Sequence, residues 1–173
     1  MNLLALVGWS GSGKTTLLVA LLPLLRAAGL TVSTVKHAHH AFDLDRPGKD
    51  SYRHRAAGAA EVLVASGTRW ALLHELAAGA ETPDPVALAA RLAPVDLVLA
   101  EGFKDAAAAK LEVHRPALGK PPLWPDRPEV LAVAADSPLP ACPRPVLPLD
   151  DPRAVAAWIL AALGNGALRQ TAA

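Results

Sequence analysis

One cysteine, Cys142, stands in 173 residues, so no disulfide can form within the chain, and its place between prolines marks it as a bystander. Neither sign of charge is in excess. Seventeen Lys and Arg against 16 Asp and Glu leave a net +1, which gives no support for a nucleic-acid or membrane-surface role. Long apolar runs are missing as well: residues 17–25 are too short for a membrane span and are interrupted by Pro23. The apolar residues 3–7 have no basic residue before them and lead straight into a glycine-rich turn. No targeting segment is expected, and a cytoplasmic chain is.

What is present is concentrated near the start. Gly8-Trp9-Ser10-Gly11-Ser12-Gly13-Lys14-Thr15 completes the G-x-x-x-x-G-K-[ST] pattern, with Thr16 following. It lies between an apolar run suited to a buried strand (residues 3–7) and a helical stretch (residues 16–28). That order converges backbone N–H groups and a helix N-terminus on an anion, places Lys14 for β/γ-phosphates, and offers the Thr15 hydroxyl to Mg²⁺. A nucleoside triphosphate or diphosphate is the expected ligand.

Strands are read at residues 31–36, 61–65, 69–74, 95–100, 110–114, 130–134 and 146–149. Helices are read at 51–57, 84–92 and 152–163, with Asp84 as the N-cap of the second. Residues 66–68 join two strands as a hairpin-type connection. Eleven of the 16 prolines lie between Pro116 and Pro152, which makes that region irregular connection around two short strands. The alternation predicts an α/β fold: a three-layer phosphate-loop architecture with a mainly parallel, mixed sheet flanked by helices. Residues 1–166 are read as one nucleotide-binding domain and 167–173 as a frayed tail.

Ligands of such sheets collect at the C-terminal ends of parallel strands, and this rule sorts the acidic residues. Glu101 closes its strand at the phosphate-loop edge and is the candidate for reaching Mg²⁺ through water or for positioning an attacking water. Asp96 opens the same strand and is read as an ordinary surface or capping acid. Residues 36–55 hold 12 ionisable side chains, including four of the six histidines. This loop is a candidate γ-phosphate sensor or acceptor site, with Lys36, Arg53 and Arg55 as phosphate contacts. A metal site at His37, His39, His40, Asp43 and Asp45 is a second reading, without firm ligand spacing. A plain charged surface loop is a third. Asp136, at the end of a strand, is either a guanine-reading carboxylate or a turn residue before Pro138.

The phosphate loop, the block from Lys36 to Tyr52 containing Lys36-His37-Ala38-His39-His40 and Pro47-Gly48-Lys49-Asp50, the stretch Ala65-Ser66-Gly67-Thr68-Arg69-Trp70 and the stretch Asp96-Leu97-Val98-Leu99-Ala100-Glu101-Gly102-Phe103-Lys104 together resemble the MobB family of molybdopterin-guanine dinucleotide biosynthesis adapter proteins. The resemblance implies a GTP- and Mg²⁺-binding protein with weak GTPase activity, a homodimer, assisting the guanylyltransferase that joins GMP to molybdopterin. By position, residues 8–16 would bind phosphates and Mg²⁺. His37, His39, His40, Asp43, Asp45, Lys49, Asp50 and the pair Glu101-Gly102 would line the nucleotide and a partner-facing surface, with Arg53 of the same loop read from its charge as a γ-phosphate contact; contact with molybdopterin itself is left open. An ATP-dependent small-molecule kinase, with Arg46, Arg53, Arg55 or Arg69 holding an acceptor phosphate, and a metal-delivering GTPase are the alternatives.

Overall fold

The computed structural model describes residues 1–38, 44–77 and 79–170. It divides into two compact units, residues 1–37 with 83–173 and residues 38–82. The elements in chain order are β1 (Leu3–Val7), α1 (Lys14–Ala27), β2 (Val32–Lys36), α2 (Asp50–Ala56), β3 (Glu61–Ala65), β4 (Trp70–His74), α3 (Pro85–Ala89), β5 (Leu97–Glu101), β6 (Lys110–His114), β7 (Val130–Ala135), β8 (Val146–Pro148) and α4 (Pro152–Gly164).

The larger unit is built on a six-stranded sheet in the order β2-β5-β1-β6-β7-β8. Every pairing within it is parallel. Apart from a single bridge between Asn2 and Arg169, the antiparallel pairing expected within a mixed sheet is confined to β3 and β4, which form a sheet of their own. β1 lies inside the parallel sheet and all five of its residues are buried. With both faces covered, polar alternation has no place there, and the continuous Leu3-Leu4-Ala5-Leu6-Val7 run follows. Leu4 and Leu6 pack with Leu17, Leu21 and Leu25 of α1 and Val155 and Ile159 of α4. Leu3, Ala5 and Val7 face the other way, toward Ala89 of α3, Phe103 and Leu123. Each fully buried leucine contributes about 2 kcal/mol of transfer free energy, so this strand anchors the loop that follows it.

α3 starts as its sequence dictates: the Asp84 side chain accepts from the Val86 N–H at 2.8 Å, and Pro85 occupies the first turn. Asp96 does the same work at the far edge of the sheet, accepting from the Thr31 N–H at 2.7 Å and the Thr31 hydroxyl at 2.6 Å. Those bonds hold its carboxyl below the usual aspartate range. Residues 167–170, expected to fray, turn back along β1. Leu168 is fully buried, its carbonyl accepts from Leu3 N, and Gln170 N donates to Met1 O. Among the described residues no helix is long and apolar enough to cross a membrane.

The smaller unit holds α2 and the β3–β4 hairpin, registered Glu61 to His74, Leu63 to Leu72 and Ala65 to Trp70. These six residues share one face, and Leu63, Leu72 and Trp70 are exposed at 60%, 42% and 66%. Val62, on the opposite face, is buried.

Candidate functional site

The turn from β1 into α1 depends on close backbone approach. Gly8 has φ 143°, and a Cβ there would stand 2.3 Å from the Val113 carbonyl oxygen. No side chain fits between the loop and β6. Gly13, at φ 100°, is the N-cap of α1 and supplies no capping side chain, so the first N–H groups of the helix are left for an anion. The Ser12 hydroxyl is buried inside the loop with no hydrogen-bond partner among the described residues. Lys14 Nζ spans the loop, donating to the carbonyls of Gly8 and Trp9, each at 2.9 Å. Burial lowers the Lys14 pKa, with Glu101 opposing and Lys36 adding to the shift.

Glu101 ends β5 directly beside this loop. Its Oε1 accepts from the Thr15 hydroxyl at 2.7 Å and from Lys36 Nζ at 2.5 Å. Burial pushes the carboxyl upward, but the bonds from Lys36 and Thr15 and the charges of Lys36 and Lys14 outweigh it, so its pKa falls below the usual glutamate value. An ionised carboxylate beside a threonine hydroxyl is a hard oxygen donor pair, the kind that suits Mg²⁺. The helix start, the lysine and this pair therefore fit a Mg²⁺-bound polyphosphate. The parallel register that sets Lys36 opposite Glu101 is what brings β2, β5 and the loop to one point.

A second set of contacts braces the loop from the other side. Arg115, the residue after β6, donates from Nε to the Ser12 carbonyl at 3.0 Å and from Nη1 to Asp136 Oδ2 at 2.7 Å. Trp9 donates its indole N–H to the Pro121 carbonyl at 2.7 Å. Beneath them Glu112 is fully buried and accepts from the backbone N–H groups of Leu123 and Trp124 at 2.9 and 3.0 Å. Burial raises its pKa against those two bonds. His114, whose pKa burial lowers, meets the Trp124 ring edge-to-face at 5.4 Å.

The family model described as "Molybdopterin guanine dinucleotide synthesis protein B" matches residues 3–136. The chain belongs to the MobB family. It is 49% identical over 146 residues to the molybdopterin-guanine dinucleotide biosynthesis adapter protein of Escherichia coli K12, covering 79% of each chain. The protein of the same name from Haemophilus influenzae is 44% identical over 143 residues, 79% of this chain and 76% of that one. A crystal structure of molybdopterin-guanine biosynthesis protein B superposes with a TM-score of 0.73 at 29% identity, covering 94% of this chain and 99% of the other. A MobB homologue from Bacillus stearothermophilus gives a TM-score of 0.69 at 26% identity, over 95% and 99%.

Against this MobB frame the expected residues divide into groups. Gly8, Ser10, Gly11, Ser12, Gly13, Lys14, Thr15 and Thr16 lie on the loop and helix start, and Lys36 and Glu101 join them. Asp136 reaches the loop through Arg115. His37 continues β2's pairing by donating its N–H to the Glu101 carbonyl at 2.9 Å, and its ring stacks on Phe103 at 5.1 Å. Asp45, Lys49, Asp50 and Arg53 belong to the smaller unit, where Asp45 accepts from Ser51 Oγ at 2.8 Å and Lys49 is the N-cap of α2. His39, His40 and Asp43 lie outside the described residues, and with them the test of the metal reading. Among the described residues no group of three His, Cys, Asp or Glu could hold a metal ion. Arg115 was not anticipated, although it follows a parallel strand at the ligand edge and the same edge rule points to it.

Proposed function

We propose that this chain binds GTP with Mg²⁺ on residues 8–16 and serves as an adapter for the guanylyltransferase that attaches GMP to molybdopterin. The observation that carries the reading is the Thr15–Glu101–Lys36 cluster at the start of α1, in a chain whose relatives bear the adapter name. The α1 N-terminus and Lys14 bind and orient the phosphates, and Thr15 with Glu101 holds the metal. Mg²⁺ bound there would supply charge neutralisation to the phosphates. Glu101, kept ionised by its partners, is placed to orient a water.

Asp136 acts on the nucleotide through Arg115 in this reading, and the loop over residues 36–53 contributes to γ-phosphate sensing and to the partner surface. The exposed Leu63–Leu72–Trp70 face of the hairpin supports a homodimer, since a three-residue apolar face beside open strand edges favours pairing with another chain. Nothing favours the kinase reading: Arg55, one of its acceptor candidates, is engaged with Glu75 at 3.0 Å.

The test is a Mg²⁺-dependent competition titration of GTP against ATP, with Lys14→Ala as control, followed by copurification with the guanylyltransferase. A strong GTP preference abolished in the variant is expected. Equal binding of ATP, or normal binding by the variant, would overturn the reading.

A further inference from the structure

β6 and β7 run parallel with His114 opposite Ala135, so the next residues, Arg115 and Asp136, leave the sheet side by side at its ligand edge. Two of the three guanidinium nitrogens of Arg115 are engaged: Nε bonds the Ser12 carbonyl and Nη1 bonds Asp136. Nη2 has no hydrogen-bond partner among the described residues, and the side chain is 39% exposed, so a ligand can reach it. The guanidinium is planar and its donors form a rigid fork, so holding two nitrogens also sets the direction of the third.

That third nitrogen lies where α1 begins. A Cβ on Gly13 would stand 3.4 Å from Nη2 and 3.7 Å from Nε, so the bare N-cap residue is what lets the guanidinium lie against the helix start. The backbone beneath is held as well: the Arg115 carbonyl accepts from the Leu118 N–H at 3.0 Å, closing the turn Pro116–Leu118. A side chain braced in this way has little rotamer freedom left to lose when it meets an anion.

Position across the sheet decides which phosphate this is. In a loop of this pattern the lysine serves the β- and γ-phosphates, while the backbone N–H groups cradle the α- and β-phosphates. Lys14 is coupled by charge to Glu101 and Lys36, at the ends of β5 and β2. β1 separates β5 from β6, so Arg115 and Asp136 stand on the opposite flank of the loop, against the Ser12–Gly13 backbone. That flank is left for the phosphate nearest the nucleoside. We propose that Arg115 binds the α-phosphate directly, its Nη2 donating to one non-bridging oxygen, and so fixes the direction in which a nucleotide lies across the loop. The proposal rests on the nucleotide-binding reading. Asp136 then aims the guanidinium, and Gly13 makes room for it.

The experiment titrates the full chain, with Mg²⁺, against the two diastereomers of GTPαS, in which sulfur replaces one or the other non-bridging α-oxygen. Sulfur accepts hydrogen bonds weakly, so a donor fixed on one oxygen makes the two ligands unequal. The native chain should favour one diastereomer by about fivefold, the measure of one charge-assisted hydrogen bond. Arg115→Ala should bring the pair within about twofold and weaken GTP and GDP by one common factor. If Arg115→Ala does not fold, Arg115→Lys gives the same reading, because an ammonium lacks the planar fork that meets three acceptors at once. A native chain without preference, or a preference that survives replacement of Arg115, overturns the proposal. A loss felt by GTP and not by GDP also overturns it, by moving the contact to the γ-phosphate. The native GTP isotherm reports the nucleotide reading and the diastereomer ratio reports Arg115, so the two fail separately; a chain that binds no nucleotide overturns both.

Discussion

Arg115 ties Asp136 to the phosphate loop: one guanidinium bonds the Asp136 carboxylate at 2.7 Å and the Ser12 carbonyl at 3.0 Å. The ends of β6 and β7 are thereby coupled to the turn that would hold a nucleotide's phosphates. Asp136→Asn should therefore weaken GTP and ATP alike, by roughly three- to tenfold, the worth of about 1 kcal/mol from a charge-assisted bond. Arg115→Ala should reproduce the loss. Titration of both variants with GTP, ATP and XTP decides the matter. A switch of Asp136→Asn toward XTP would assign the carboxylate to the base instead, because an asparagine amide can donate to the xanthine 2-oxo group where a carboxylate cannot.

Room at Gly8 is the second point. The 2.3 Å gap between an added Cβ and the Val113 carbonyl leaves no rotamer to adjust, and φ 143° adds strain. Gly8→Ala should lose at least about 2 kcal/mol of stability, through displacement of β6 or of the loop. At Gly11 the nearest atom is Leu118 Cδ2 at 3.9 Å, so Gly11→Ala should cost only the conformational penalty at φ 80°, about 1 kcal/mol. Paired denaturant unfolding curves measure both; equal losses would show that the contact with Val113 does not govern the turn.

Glu101→Gln separates binding from hydrolysis. The amide keeps the shape of the side chain and can still accept from Thr15, but it gives up the charge that Lys36 and Lys14 stabilise. Triphosphate affinity should fall by less than fivefold. Hydrolysis should slow by about a hundredfold, the lower end for losing a positioned catalytic group. Single-turnover assays in excess Mg²⁺ provide the check, and an unchanged rate would leave Glu101 as a structural partner of Lys36 alone.

β6 shows how far the sequence could be read and where it stopped being informative. Its bounds follow from the pattern, but Lys110-Leu111-Glu112-Val113-His114 alternates polar and apolar residues as a half-exposed strand does. All five residues are buried, because the strand lies between β1 and β7 and the proline-rich connection folds over it. Buried polar groups need partners. Glu112 finds backbone donors 11 and 12 residues ahead, while Lys110 Nζ donates to the Ala106 and Ala108 carbonyls and lies 3.7 Å from Glu129. Donors as far along the chain as those of Glu112 leave no local signal. The phosphate loop and Glu101 were legible for the opposite reason: their chemistry is written in consecutive residues or set by a strand's end.

The hairpin yields a prediction about assembly. Leu63 and Leu72 are directly opposed on an exposed face with Trp70 beside them. With the hairpin face as the proposed homodimer seam, the native chain should scatter as a dimer and Leu63→Asp as a monomer, with GTP affinity unchanged, since the phosphate loop belongs to the other unit; a monomeric native chain would overturn the homodimer. A variant that stays dimeric would place the interface elsewhere.

Acid stability offers a test at the opposite edge of the sheet. Asp96 has its pKa lowered by the side-chain and backbone hydrogen bonds from Thr31, so the folded chain holds that proton less tightly than the unfolded chain does. A carboxyl depressed in this way contributes stability above its unfolded pKa of about 3.9, and the contribution is lost as pH falls through the lower folded value. The melting temperature of the native chain should therefore exceed that of Asp96→Ala by a constant margin from pH 7 down to about 5, and the margin should shrink below about pH 4. Glu101 is depressed in the same sense, so it adds to the acid sensitivity of both proteins and cancels in their difference. Glu112 is shifted upward, and it too is common to both chains. A margin that persists undiminished at pH 2 would mean that Asp96 stabilises the β2–β5 corner by packing and not through its charged hydrogen bonds to Thr31.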